Sequence, residues 1–291
     1  MVNMTTLPYG FTPETLRVNG QTMSYLDEGK GPALVMVHGN PTWSYYYRNL
    51  VTRLKDRFRV IVPDHIGCGL SDKPQDYAYT LENHINALTE LIEHLGLDEV
   101  SLVVHDWGGA IGFGYASRHP SAIKSLVVLN TAAFPLSRMP MRIGVCRLPV
   151  VGELLVRGLN LFAGLAVEMA VKKPLSDEVA SGYLYPYDSW HNRVAVHRFV
   201  MDIPMGPEHQ SWPTLTDIEK KLPLFKETPM LLIWGGKDFC FNDLFYDQWR
   251  KRFPKAEYHY FPEAGHYVLE DALEEACSLI DAFFSSNCIN E

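Results

Sequence analysis

The chain has 291 residues, of which 47% are hydrophobic and 21% charged, and its formal net charge is −8. This composition is typical of a soluble globular protein with a full apolar core. The acidic balance argues against binding to a nucleic-acid backbone and against stable association with anionic lipid. Neither nucleic acid nor lipid is therefore expected as the main partner.

The sequence predicts neither a targeting signal nor a membrane span. Residues 1–14 contain no basic start and no apolar stretch, which argues against a signal peptide. The longest apolar stretch, residues 152–171, is interrupted by two glutamates, an arginine and an asparagine. Charges at that spacing are costly in hydrocarbon, so we predict a buried or cap helix here. Its apolar part, residues 154–170, is also a candidate homo-oligomer interface.

The cysteines predict a reducing compartment. There are five, an odd number, and they follow neither a CxxC spacing nor a metal spacing with histidine. We therefore expect free thiols, a cytoplasmic location, no metal and no cofactor. The cysteines are Cys68, Cys146, Cys240, Cys277 and Cys288.

The first half of the chain alternates strand and helix patterns. Residues 17–39 read as a hairpin followed by a continuous apolar run at 33–37, which suits a parallel strand covered on both faces. Similar runs recur, separated by helical spacing. This alternation predicts a mostly parallel, doubly wound α/β sheet with helices on both faces. The further predicted strands are 58–62, 101–104 and 125–129, and the predicted helices are 44–54, 81–95 and about 108–119.

A helical segment then interrupts the alternation. Residues 134–213 are rich in aromatic residues and prolines and show no clear strand pattern. Strand patterns resume at 229–234 and 257–261, and a closing helix is predicted at 267–284. Because neither flank has a complete sheet alone, we predict one core with an inserted cap. The predicted core is residues 1–133 and 214–291, and the predicted helical cap is residues 134–213.

Asp106 lies where such a sheet holds a nucleophile. The segment Val104-His105-Asp106-Trp107-Gly108-Gly109 joins a buried strand to a glycine-led helix, which is the setting of a nucleophile elbow. The usual elbow has a serine at this position. A carboxylate is already ionised near neutral pH, so the replacement predicts displacement at a saturated carbon instead of acyl transfer. The alternative is that Asp106 only caps the following helix.

Two more residues complete a catalytic order. Asp238 follows the penultimate strand and His266 follows the last strand. Neither residue alone is strong evidence for a catalytic role, because aspartate and histidine are both common in loops. Together with Asp106 they give the order nucleophile, acid, histidine at three strand ends, where ligands bind in open α/β sheets. This order predicts the α/β-hydrolase fold with Asp106, Asp238 and His266 as its triad.

The core motifs resemble those of the haloalkane dehalogenases, over nearly the whole chain outside the insertion. Asn40 follows His-Gly, where the related epoxide hydrolases usually carry an aromatic residue, and Trp107 directly follows the nucleophile. The resemblance implies that Asn40 and Trp107 stabilise the departing halide with side-chain donors and the ester oxyanion with backbone N–H groups. The motifs are His38-Gly39-Asn40-Pro41, Asp64-His65-Ile66-Gly67-Cys68-Gly69-Leu70-Ser71, His105-Asp106-Trp107-Gly108-Gly109 and Gly265-His266.

The position of the triad acid narrows the resemblance. One branch of the dehalogenases carries this acid after the fourth parallel strand, where this chain has Asn130. The chain looks like the branch that carries it at Asp238. That branch includes sequences similar to the β-lactone decarboxylases of olefin biosynthesis. The segments that look like this subgroup are 130–136, 185–188, 201–204 and 266–271.

The main prediction is a haloalkane dehalogenase that binds a small apolar substrate between core and cap. Asp106 displaces the halide, and an alkyl-enzyme ester forms. His266, oriented by Asp238, activates the water that hydrolyses this ester. The first alternative is a β-lactone decarboxylase, in which the same carboxylate engages the strained ring and an alkene and CO₂ leave without a water-derived alcohol.

Other functions fit the sequence less well. An epoxide hydrolase is disfavoured by Asn40, although Tyr183, Tyr185 and Tyr187 are candidate ring-opening phenols whose spacing fits packing equally well. An esterase requires a serine at the elbow. A non-catalytic receptor on this fold predicts a disrupted triad, and the triad positions are filled.

Overall fold

The computed structural model describes residues 9–136 and 139–287 of the chain. Cys288 and the first part of the N-terminal stretch lie outside these residues. The described residues form one eight-stranded sheet. Its strands are β1 (Glu14–Val18), β2 (Gln21–Glu28), β3 (Ala33–Val37), β4 (Arg59–Pro63), β5 (Val100–Asp106), β6 (Ile123–Thr131), β7 (Met230–Gly235) and β8 (Glu257–Phe261).

The strand order is β1-β2-β4-β3-β5-β6-β7-β8. β1 pairs with β2, and β2 with β4, in antiparallel fashion, while all the other neighbours are parallel. The chain passes from β3 to β4 on one side, returns past β3 to β5 on the other side, and then moves outward through β6, β7 and β8. This reversal of direction is the doubly wound arrangement that the alternation predicts. β3 and β5 lie side by side, so the loops after them meet at the same edge of the sheet.

The central strands are apolar throughout because both of their faces are covered. In β3, Val35 and Val37 pack into one hydrophobic cluster. Leu34 and Met36 pack into a second cluster on the opposite face. A strand with only one buried face would instead alternate apolar and polar residues.

Helices cover both faces of the sheet. The predicted helix at 44–54 is a short 3₁₀ turn, Ser44–Tyr47, followed by an α-helix. The α-helices are α1 (Arg48–Leu54), α2 (Leu81–His94), α3 (Trp107–Arg118), α4 (Met141–Val145), α5 (Val151–Glu153), α6 (Leu161–Met169), α7 (Asp177–Leu184), α8 (Val194–Met201), α9 (Trp212–Lys221), α10 (Asp243–Arg252), α11 (Val268–Asp271) and α12 (Leu273–Asn287). None of the helices in residues 9–136 and 139–287 is long and apolar enough to cross a bilayer.

The insertion follows β6, the fourth parallel strand in chain order, and ends before β7. It contains α4 to α8 and the start of α9. We propose that residues 134–213 act as a cap over the carboxyl ends of the strands. The single helix expected at 152–171 is wrong: α5 passes into a π-helical turn at Leu154–Gly158, and Asn160 then adopts a left-handed conformation before α6. Asparagine tolerates that conformation better than most residues.

The closing helix also differs from the prediction. It is divided into α11 and α12, with Ala272 between them in a non-helical conformation. Buried Asp271 ends α11, and its carboxylate accepts hydrogen bonds from the backbone N–H groups of Gly265, Lys172 and Lys173. These bonds connect residues 172 and 173 of the insertion to the loop that carries His266.

Candidate active site

Asp106 ends β5 in a strained backbone conformation, with φ 53° and ψ −126°. The Thr131 hydroxyl donates to its carbonyl oxygen. Any side chain at Gly39 would collide with the Asp106 carboxyl group, so glycine is needed there. Such strain is typical of a sharp strand-to-helix turn that exposes a nucleophile. The Asp106 carboxylate makes no hydrogen bond to the start of α3, so it does not cap that helix.

The two carboxylate oxygens of Asp106 have different surroundings. Oδ1 accepts a 2.6 Å hydrogen bond from the backbone N–H of Asn40, in the loop after β3. Oδ2 lies 3.5 Å from Nε2 of His266. One oxygen is therefore held by a fixed donor, and the other faces the imidazole and the cavity. If Asp106 were esterified through Oδ2, Oδ1 would already occupy a donor site suited to an oxyanion.

Asp238 holds His266 from the other side. Its Oδ2 accepts a 2.7 Å hydrogen bond from Nδ1 of His266, and its Oδ1 accepts from the backbone N–H groups of Cys240 and Phe241. Burial would raise the pKa of Asp238. The charge and hydrogen bond of His266 and these backbone donors outweigh burial, so the pKa lies below its ordinary value.

His266 is buried between two carboxylates. Burial alone would lower its pKa, but the charge of Asp238 and the hydrogen bonds to Asp106 and Asp238 raise the pKa to about 10. The raised pKa favours the imidazolium form of His266 in this site. Esterification of Asp106 would remove one negative charge, and the pKa of His266 would fall. Only then would the imidazole accept a proton from water.

Asn130 supports Asp238 and was not recognised as a site residue from the sequence. Its Nδ2 donates to Asp238 Oδ2 at 3.0 Å and to the carbonyl of Gly235, and its Oδ1 accepts from the N–H of Gly235. The side chain thus links the ends of β6 and β7. The backbone of Asn130 is left-handed, with φ 29°. In the sequence, only the residue type hints at this conformation, and nothing indicates the contact with Asp238.

Aromatic rings fix the orientation of the His266 ring. Phe241 stacks on it with a centroid distance of 5.7 Å and an interplanar angle of 18°. His105 lies behind it and donates from Nε2 to the carbonyl of His266 at 2.9 Å. Burial lowers the pKa of His105 to about 3, so this ring is neutral and acts as a packing and hydrogen-bonding group.

A cavity of about 510 Å³ opens in front of Asp106 and His266. Asn40 and Trp107 also line it, and nearly all the other lining residues are apolar side chains of the insertion and of the loops after β6 and β7. Such a cavity suits an apolar ligand that meets a few polar groups at one end. All the candidate residues except Asp238 therefore reach one pocket, and Asp238 reaches it through His266.

The two expected halide donors differ in the structure. Trp107 packs edge-on against Phe199, and its indole N–H donates no hydrogen bond to any described residue. The Asn40 side chain donates from Nδ2 to the carbonyl of Val196 in α8 at 3.1 Å. Its buried Oδ1 has no partner among the described residues. Trp107 is thus the freer donor, and Asn40 also connects the core to the insertion.

The three tyrosines considered for epoxide opening do not line the cavity. The Tyr183 hydroxyl donates to Glu270, and Tyr187 is buried with its hydroxyl directed to the carbonyl of Thr42. Tyr185 stacks near Trp43. All three are packing residues. No group of three or more His, Cys, Asp or Glu side chains in the described part of the chain is arranged to hold a metal ion.

Comparisons with known proteins agree with this architecture. A family model of the α/β hydrolase fold matches residues 32–273. The cis-3-alkyl-4-alkyloxetan-2-one decarboxylase of Shewanella oneidensis is 47% identical over 94% of this chain and 89% of its own length. The corresponding decarboxylase of Xanthomonas campestris is 45% identical over 98% and 99%. Haloalkane dehalogenase 2 of Mycobacterium bovis is 32% identical over 89% and 90%.

Solved structures give the same result. The haloalkane dehalogenase DatA from Agrobacterium tumefaciens superimposes with a TM-score of 0.86 at 26% identity, covering 96% of this chain and 98% of that one. The fold and these relatives lead to one assignment. The chain is an enzyme of the α/β-hydrolase fold family, and it belongs to the haloalkane dehalogenase branch that includes the alkyloxetan-2-one decarboxylases.

Proposed function

We propose that this protein decarboxylates cis-3-alkyl-4-alkyloxetan-2-ones, which are β-lactones, to an alkene and CO₂. The observation that carries the proposal is the 47% and 45% identity to two decarboxylases over almost the full chain. The identity to the dehalogenase is 32%. This favours the first alternative from the sequence over its main prediction. The apolar cavity of about 510 Å³ in front of Asp106 is consistent with a substrate that carries two alkyl chains.

The chemistry begins with attack by Asp106 on the strained ring. Oδ2 attacks C4 of the lactone, a C4–O bond to Asp106 forms, and the ring C4–O bond breaks with its electron pair on the lactone oxygen. The product is an alkyl-enzyme ester that carries a carboxylate on C3. A carboxylate needs no general base for this step. Oδ1 remains held by the Asn40 N–H at 2.6 Å.

The second step regenerates the enzyme. The bond between C3 and the carboxylate carbon breaks, CO₂ leaves, and that electron pair forms the C3–C4 double bond. The bond from C4 to Asp106 breaks at the same time, and its pair returns to the carboxylate. Inversion at C4 places the two departing groups opposite each other, so a cis-lactone gives a cis-alkene. Neither water nor a proton is consumed.

The site residues have separate roles in this scheme. Trp107 donates its indole N–H to the carboxylate that develops on the lactone oxygen. His266, as an imidazolium, and the backbone of Asn40 hold Asp106 in position. The apolar lining keeps water from the ester, which would otherwise be hydrolysed once the pKa of His266 falls.

Haloalkane dehalogenation is a second candidate activity of the same site. It is favoured by the Trp107 indole N–H, which is free beside Asp106, and by Asn40 in the same cavity. In that reaction the ester has no neighbouring carboxylate to expel it. Water and His266 are then required for release.

His266→Ala separates the two reactions. With a bromoalkane, we expect the variant to accumulate an ester on Asp106 that is visible by mass spectrometry. With a cis-dialkyl β-lactone, we expect alkene formation to continue at a reduced rate. Asp106→Asn is the control, which should lose both reactions. Loss of alkene formation together with an accumulated lactone-derived ester would contradict the decarboxylation scheme.

A further inference from the structure

The insertion carries an unusual concentration of exposed aliphatic side chains. Nine of the 13 exposed large apolar side chains in the described residues lie between positions 141 and 165, with exposures of 36% to 85%. We call this surface the 141–165 patch. Clustered apolar exposure on this scale marks an interaction site, whereas isolated exposed residues are ordinary. Six members do not line the cavity: Met141, Leu148, Val150, Val151, Leu154 and Leu159.

The patch borders the cavity. Val145, Leu161 and Leu165 are 41%, 36% and 44% exposed, and the same three side chains also line the cavity in front of Asp106. The apolar surface therefore continues from the outside of the protein into the pocket. Arg142 is the one charged residue that residues 139–173 contribute to the cavity lining.

The charge around the patch is opposite to that of the whole chain. Residues 139–173 contain five cationic and two anionic side chains, a net charge of +3, while the whole chain carries −8. Arg142, Lys172 and Lys173 are exposed. A local cationic surface next to apolar side chains is attracted to an anionic interface even when the remaining protein is acidic. The prediction that the chain does not associate with lipid used the net charge of the whole chain, which differs in sign from the net charge of residues 139–173.

The residue types favour lipid over a protein partner. Between residues 139 and 173 the only aromatic side chain is Phe162, which lines the cavity. Protein interfaces are enriched in aromatic residues, and leucine and valine are under-represented among the residues that carry their binding energy. Leucine and valine beside arginine and lysine are instead typical of segments that lie in a membrane surface.

We propose that the 141–165 patch docks on an anionic bilayer surface, so that an apolar substrate passes from the bilayer into the cavity. The identity of that substrate rests on the proposed function, whereas the docking itself does not. The expected association is peripheral, with aliphatic side chains inserted at the level of the headgroups. It explains why these side chains remain exposed around the entrance of a site for an apolar molecule.

Vesicle binding of the full chain tests the proposal. The probe is vesicles of phosphatidylcholine with or without phosphatidylglycerol, separated by flotation. The variant is the triple change Leu148→Ser, Leu154→Ser and Leu159→Ser, at exposed positions outside the cavity lining. The matched control is Leu224→Ser with Leu244→Ser, which are exposed at 57% and 42% elsewhere.

We expect the wild type and the control to float with phosphatidylglycerol vesicles at low salt, and the triple variant to bind at least about tenfold more weakly. Turnover of a short-chain lactone dissolved in water should be the same in all three proteins, while turnover of a long-chain lactone held in vesicles should fall in the triple variant.

Absence of wild-type binding would overturn the docking proposal. A wild-type dimer that the triple variant dissociates would overturn it as well, because the patch would then be an interface between copies. Vesicle binding without turnover of any lactone would leave the docking intact and contradict the proposed function.

Discussion

The loops at the carboxyl ends of the strands and the 141–165 patch are opposite in their chemistry. At the strand ends, Asp238 accepts hydrogen bonds from four donors, and one oxygen of Asp106 is held by a backbone N–H. In the patch, nine large apolar side chains are exposed. The first region fixes a geometry, while the second provides an apolar surface. The two regions meet at the cavity, and we propose that the chemistry and the choice of substrate are set by different parts of the chain.

The largest effect within the polar region is expected for Trp107→Phe. The change removes the indole N–H while keeping an aromatic ring, so the developing anion loses a preorganised donor. We expect kcat to fall by about 10²-fold on a lactone or a bromoalkane. Trp43→Phe is the matched control, because the Trp43 indole donates to the carbonyl of Gly182 and lies outside the cavity. Full activity of Trp107→Phe would remove the side-chain donor from the scheme.

Asn130→Ala tests whether the polar region depends on its supporting residues. The substitution removes one of the four donors to Asp238 and both hydrogen bonds from the Asn130 side chain to Gly235, so we expect the free energy of unfolding to fall by about 1–3 kcal/mol. Turnover should also fall, and its pH profile should shift because Asp238 is less firmly held. Urea denaturation measures the first effect. Asn83→Ala, which removes an exposed hydrogen bond to the carbonyl of Ala78, should change stability by less than about 0.5 kcal/mol.

The pH dependence of the free energy of unfolding tests how strongly the polar region at the strand ends stabilises charged His266. The pKa of His266 is raised from 6.5 to about 10 in the folded protein. Its contribution to stability is therefore fully present below about pH 6.5 and is lost as the pH rises through about 10. The difference in the free energy of unfolding between the wild type and His266→Gln should shrink over this range. A difference that stays constant from pH 6 to pH 10 would show that the two carboxylates do not stabilise the imidazolium.

The smallest effect is expected for Tyr183→Phe. Its hydroxyl donates to Glu270 and does not reach the cavity, so we expect less than about a threefold change in kcat. A phenol that opened the ring as an acid would contribute about 10²–10⁴-fold. Steady-state kinetics on a lactone and on an epoxide distinguish these outcomes, with Tyr185→Phe as the control. A loss on the epoxide alone would restore epoxide opening as an activity of this site.

The fold was predictable because its signals are local. Strands buried on both faces appear as continuous apolar runs, and β3 and β8 have the predicted bounds. Other boundaries differ because pairing extends beyond the apolar run: β5 continues to Asp106, although the apolar pattern ends at Val104. The helix expected at 152–171 failed because composition does not reveal the left-handed Asn160.

Candidate site residues could be named from the sequence only where a residue type carries chemistry by itself, and their roles stay predictions. Asp106, Asp238 and His266 stand out at strand ends, but the role of Asn130 depends on contacts with residues more than 100 positions away. The exposure of the 141–165 patch is likewise a property of tertiary packing. Its apolar residues suggested an oligomer interface, which stays a prediction that the vesicle experiment also addresses.

Turnover in water enriched in heavy oxygen tests the central claim, that Asp106 bonds covalently to the substrate and is freed by loss of CO₂. After many turnovers of a cis-dialkyl β-lactone, the peptide that contains Asp106 is weighed by mass spectrometry and the products are identified. We predict alkene and CO₂ with no label in the Asp106 carboxylate, and label at Asp106 when a bromoalkane is the substrate. A labelled Asp106 with a β-hydroxy acid as the lactone product would contradict the account, because water and not fragmentation would then release the ester.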